Sequence, residues 1–135
     1  MENDLNDKIE YWIEIAAYDL ATAKSLLEMK RFLYVGFMCH QVIEKILKAI
    51  YTQRFQGDTP PYTHDLISLA VKTDLYTLLT ENQKSFLDVL EPLNIESRYP
   101  RAKAALNSSL TLERCQTIIQ QTEGLFQWIK QQLLT

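Results

Sequence analysis

Apolar residues recur at helical spacing along most of the chain, and the most continuous such stretch is FLYVGFMCHQVIEKILKAIY, from Phe32 to Tyr51. Phe32, Val35, Gly36, Cys39, Val42, Ile43, Ile46, Leu47 and Ile50 follow one another at steps of three, four or one, which gives a helix one broad apolar face. Gln41, Glu44, Lys45 and Lys48 lie opposite. Glu44 precedes Lys48 by four residues, so the two can pair along the helix surface for ~0.2–0.5 kcal/mol, the ordinary behaviour of a solvated face. A helix this apolar is unstable alone in water, and the rest of the chain must cover it.

The flanking segments are patterned to do so. A first helix is predicted from Asn3 or Asp4, either of which caps exposed N–H groups, to about Met29. Its apolar stripe is Ile9, Trp12, Ile13, Ala16, Ala17, Leu20, Ala23 and Leu27, and Lys30–Arg31 leaves room only for a tight antiparallel link. After the second helix, Gly57 and Pro60–Pro61 predict a loop, and Thr63 is the expected cap of a short helix from His64 to about Lys72, with Asp65 at its positive end. Thr80 and Gln83 have the spacing of a capping box and begin a helix that uses Phe86, Leu87, Leu90 and Leu93. Pro92 and Ser97-Arg98-Tyr99-Pro100 predict a second irregular stretch. The last helix presents Leu112, Cys115, Ile118, Ile119, Thr122, Phe126, Ile129 and Leu133. This order predicts an all-α, up-and-down four-helix bundle with an additional short helix, one domain over residues 1–135.

Composition narrows the function classes. Hydrophobic residues at 47% and charged residues at 23% fit a folded protein rather than a disordered one. The formal charge of −3 lacks the basic surplus of most polyanion binders, so nucleic-acid contact would fall to a local cluster such as Arg98, Arg101 and Lys103. Cys39 and Cys115 sit on apolar faces and lack a C-x-x-C spacing, so both read as structural thiols. The acidic N-terminus is unlike a signal peptide and no apolar run is long enough to span a bilayer, which points to a cytoplasmic protein that does not bind membranes. Trp12, Phe37, Met38, Phe55 and Trp128 are more large apolar groups than one small bundle readily covers, so self-association is expected.

Familiar chemical signatures are missing: there is no phosphate-binding glycine loop, no H-E-x-x-H, and two histidines cannot build a multi-histidine metal site. What remains polar and oddly placed is Asp19, His40, Glu44, Lys45, Lys48, His64, Asp65, Arg98 and Tyr99. Asp19 reads as solvated or backbone-bonded beside the first helical stripe, and His40, between apolar positions, as structural or interfacial.

The order of A-x-x-DL at Ala17–Leu20, CHQVIEKILKA at Cys39–Ala49, PPYTHDL at Pro60–Leu66 and RYP at Arg98–Pro100 resembles the HEPN domain family. The resemblance runs from the first helix to the last. It implies a helical bundle similar to the C-terminal domain of kanamycin nucleotidyltransferase, a homodimer, no cofactor, and an adjacent minimal nucleotidyltransferase partner in a toxin–antitoxin type pair. It also implies a nucleotide or RNA as ligand. Many members are metal-independent endoribonucleases that use R-x4–6-H, where histidine moves protons of the ribose 2′-OH and arginine stabilises the charged phosphorane.

Here that motif is absent: eight residues separate Arg31 from His40, nine separate Arg54 from His64, and no histidine follows Arg98. Three readings follow. The first is a non-catalytic module that docks on a nucleotidyltransferase or binds a nucleotide through a polar cluster of Asp19, Glu44, Lys45, Lys48, His64, Asp65, Arg98 and Tyr99. The second is a degenerate ribonuclease with His64 and Arg98 as catalytic residues. The third is a purely structural homodimer.

Overall fold

The computed structural model describes residues 2–95 and 100–133. Among the described residues six helices follow in order: α1 (Glu2–Glu28), α2 (Phe32–Arg54), α3 (Leu66–Lys72), α4 (Glu81–Leu90), α5 (Pro100–Ser109) and α6 (Leu112–Gln132). Short 3₁₀ turns lie at Tyr76–Leu78 and Glu91–Leu93. The all-α bundle is the one the apolar pattern predicts.

The central rod is α2. Val35, Cys39, Val42, Ile43, Ile46, Leu47 and Ile50 are all buried along it, under Ala16, Leu20 and Ala23 of α1 and Cys115, Ile118, Ile119, Phe126 and Ile129 of α6. α1 and α2 are antiparallel neighbours joined at Lys30–Arg31. α6 runs parallel to α2, because Cys115 at its start reaches the Phe32 carbonyl and Gln53 donates to the Leu133 carbonyl at its far end. α4 runs the other way: Phe86 lies beside Gln121 and Leu125, whereas Leu93, past the end of α4, reaches the Gly36 end of α2. A side chain at Gly36 would come within 3.3 Å of Leu93 and 3.4 Å of Leu110, so glycine lets this corner close.

The ends of the helices follow from local chemistry. Arg31 N–H bonds the Leu26 carbonyl and Lys30 N–H the Leu27 carbonyl, a double closure that puts Lys30 in the left-handed region at φ 60°. α2 closes the same way, with Gly57 N–H on the Thr52 carbonyl, and there Gln56 (φ 53°) and Gly57 (φ 90°) share the left-handed turn. The capping box at Thr80 and Gln83 forms as its spacing predicts.

Four expectations need correction. Thr63 does not cap α3: Asp65 does, accepting from Ser68 N–H, while the Thr63 hydroxyl accepts from Asp65 N–H, so the helix starts at Leu66 and His64 stays in the loop. A helix, α5, occupies Pro100–Ser109 where only irregular chain was expected. Pro100 suits the first helical position and three alanines favour the helix, but none of its residues is buried, so it leaves no apolar stripe to read. Leu112, assigned to the buried stripe of α6, is 44% exposed, and Leu125 takes a core position instead. Of the five apolar groups expected at the surface only Phe55 is exposed; Trp12, Phe37, Met38 and Trp128 are half-buried.

Candidate functional site

The polar side of α2 is not a solvated face. Glu44 is 1% exposed, Lys48 6%, Gln41 8% and His40 fully buried, all covered by α1 and by the loop before α3. The Glu44–Lys48 pair forms at 3.0 Å, but inside the protein, where a removed partner costs several kcal/mol rather than tenths.

Glu44 is the centre of the cluster. Its Oε1 accepts from His64 Nδ1–H at 2.8 Å, and its Oε2 accepts from Lys48 Nζ at 3.0 Å and Lys45 Nζ at 3.4 Å. Burial pushes the carboxyl up, but the bonds from His64 and Lys48 and the charges of Lys45 and Lys48 outweigh it, and the group is held below the usual carboxylate range. Lys45 also donates to Gln41 Oε1 at 2.8 Å, and Lys48 Nζ lies 5.7 Å from the centre of the Trp12 ring, a cation–π contact from α1. Asp19, half-buried on α1, feels both Lys45 and Glu44; burial is the main reason its carboxyl is raised.

The loop is tied to this cluster twice. His40 Nε2 lies 3.1 Å from the His64 carbonyl, and a carbonyl only accepts, so Nε2 carries the proton. His40 is held down to about 4 by burial, which Glu44 opposes, so the ring is neutral and its Nδ1 has no proton to give Glu44 at 3.8 Å. His64 donates to Glu44 from Nδ1, which fixes the orientation of its ring. Apart from the cluster, Glu91 holds the start of α3, its Oε1 accepting from Leu66 N–H at 2.7 Å and Ile67 N–H at 3.2 Å. Beside the cluster lies a groove of about 320 Å³ between α1 and the loop, lined by the apolar surfaces of Tyr11, Trp12 and Pro60 and by the charged Asp7, Lys8 and Asp58, among others. Trp12 therefore faces both the groove and Lys48.

Of the residues singled out in the sequence, Glu44, Lys45, Lys48 and His64 come together, with Asp19 at the edge. Asp65 does not join them; it turns to cap α3 and faces Glu91. Arg98 and Tyr99 lie outside the described residues. The residues that sequence reasoning left out of the site are Gln41 and Trp12. Gln41 is one turn before Lys45, a signal that was legible, whereas Trp12 arrives from another helix. Among the described residues no three His, Cys, Asp or Glu side chains gather as a metal-binding group. Nor is any helix there long and apolar enough to cross a membrane.

An all-α bundle whose central helix carries a buried carboxylate, clasped by a histidine and two lysines, defines a helical module built around one polar cluster. The sequence matches the family model of the HEPN domain over residues 9–132, and the chain belongs to that family. The crystal structure of TT1696 from Thermus thermophilus has the same fold, with a TM-score of 0.78 over 92% of this chain and 97% of that one; at 19% identity the likeness concerns fold alone. No protein of curated function matches the sequence significantly.

Proposed function

We propose that this chain is a non-catalytic HEPN module that binds the phosphate of a nucleotide at the Glu44 cluster and docks, as a homodimer, on a minimal nucleotidyltransferase in a toxin–antitoxin type pair. The observation that carries the reading is the gathering of Lys45, Lys48 and His64 around one buried carboxylate. Glu44 holds these donors in place before a ligand arrives, so little ordering is left for binding to offset. Lys45 and His64 keep 19% and 30% of their side chains open to solvent and are the two that can turn toward a phosphate. The groove beside Trp12 offers the base or sugar an apolar wall. The missing R-x4–6-H argues against cleavage.

Calorimetric titration with adenine, guanine, cytosine and uracil mononucleotides tests the binding. At least one should bind, and Lys45→Ala should weaken it about tenfold, the loss of one charge-assisted hydrogen bond at ~1.5 kcal/mol. The reading fails if none binds, or if Lys45→Ala and His64→Ala bind unchanged. Co-expression with the nucleotidyltransferase encoded beside it, where there is one, should give a stable complex, and sedimentation of the free chain should give a dimer.

One observation favours a second reading. A histidine whose ring is oriented by an Nδ1–H bond to a buried carboxylate has the second-residue support that a general base toward a ribose 2′-OH needs. Cleavage of structured RNA that disappears in His64→Ala and in Arg98→Ala would establish this degenerate ribonuclease and displace the first reading.

A further inference from the structure

A second feature lies at the other end of α2. The turn that joins α1 to α2 and the exposed side of α5 enclose a groove of about 370 Å³, with Lys30, Arg31, Tyr34, Lys103 and Asn107 in its wall beside the apolar Phe32, Leu33 and Ala104, and no carboxylate among them. In a chain of formal charge −3 this is a local reversal of sign. Among the described residues, the side chains of Lys30, Arg31 and Lys103 take part in no ion pair or hydrogen bond, unlike the cations around Glu44. Backbone bonds close the turn: those from Lys30 N–H to Leu27 and from Arg31 N–H to Leu26 end α1 at 3.0 and 2.9 Å, and the Arg31 carbonyl accepts from Tyr34 and Val35 to begin α2. Tyr34, 52% exposed, adds an aromatic ring to the wall.

We propose that this groove binds the backbone of a single-stranded polynucleotide, with Arg31 and Lys103 on phosphates and Tyr34 stacked on a base. Three unpaired cations without an acid suit a polyanion. An exposed ring beside them suits bases that are not already stacked in a duplex, where their faces are covered. The groove shares no residue with the Glu44 cluster. Arg31 precedes Lys45 by fourteen positions along one helix, about 20 Å at 1.5 Å per residue, so one nucleotide cannot occupy both. Mononucleotide binding and strand binding are therefore separable.

The test is fluorescence anisotropy of a labelled oligouridylate and a matched oligothymidylate across a salt series. It compares the whole protein with Arg31→Gln/Lys103→Gln and with Tyr34→Ala, each checked for an unchanged circular-dichroism melt. The double variant should flatten the log K against log salt slope by about 1.4, at ~0.7 per lost phosphate contact on a single strand. Tyr34→Ala should lower affinity roughly tenfold and leave the slope alone, since stacking carries no charge. Equal binding of both oligomers assigns the groove to the shared phosphate backbone, and a preference for uridylate adds the 2′-OH as a determinant; both support the proposal. Absence of oligomer binding, or a slope unchanged in the double variant, overturns it. Displacement by polyglutamate as effective as by the oligomers, with Tyr34→Ala without effect, also overturns it and marks the groove as an acidic-protein site.

Discussion

Substituting Glu44→Gln removes one negative charge from the interior and little volume. Lys45 keeps Gln41 as a partner at 2.8 Å and can swing into solvent, and His64 keeps an acceptor in the amide oxygen. Lys48 is the stranded group: it is 6% exposed, Glu44 is its one side-chain acceptor among the described residues, and otherwise it has only the Trp12 ring at 5.7 Å. Leaving one member of a buried pair uncompensated costs ~3–5 kcal/mol. The retained Trp12 contact offsets ~1 of this, so a loss of about 3 kcal/mol is expected. In urea, with a slope of ~1–3 kcal/mol per molar, the unfolding midpoint should fall by about 1–3 M, followed through the fluorescence of Trp12 and Trp128.

Adding Lys48→Met should restore most of that loss, since replacing both ions with apolar atoms removes the uncompensated charge. The pH dependence has a definite sign. Because the folded Glu44 carboxyl is lowered from 4.5, its contribution is complete above that value and is lost as pH falls through the folded one. The gap between wild type and Glu44→Gln should therefore narrow in acid. A Glu44→Gln unfolding free energy within ~1 kcal/mol of wild type, or a double variant as unstable as the single one, would refute the central role given to this carboxylate.

His40, lowered from 6.5 to about 4 by burial, makes stability fall as pH drops through that interval, by about 3 kcal/mol at 1.36 kcal/mol per unit. His40→Gln, which keeps a donor for the His64 carbonyl, should flatten that part of the urea-midpoint profile. Glu91→Ala leaves two N–H groups of α3 without an acceptor and should cost ~1–2 kcal/mol, with faster hydrogen exchange at Leu66 and Ile67. Cys39 and Cys115 are fully buried, with the Cys39 thiol pushed up to about 12 by burial, so a thiol reagent should find neither until the protein is unfolded, and then both.

Much of the bundle was legible because helical periodicity is a local property. The rods of α1, α2, α4 and α6 announce themselves through spacing alone, and Thr80 with Gln83 marks a start that needs no neighbour. α5 was not legible, since a helix with no buried residue carries no stripe. The cap of α3 was misplaced by two residues because Thr63 and Asp65 are both good caps, and what favours Asp65 is the loop's attachment to α2 and Glu91's reach to Leu66.

The site divides along the same line. Glu44, Lys45 and Lys48 lie within one turn and a half of one helix, so their association follows from the residue order by itself. Whether that group meets water or sits in the interior does not, because a helix exposes its polar side only if nothing is packed there. Here α1 brings Trp12 and Asp19, and the loop brings His64, from positions 20 or more residues away in the chain. The sequence determined which charges stand together; the packing of three separate segments decided that they are buried, which changes a pair worth tenths of a kcal/mol into one worth several.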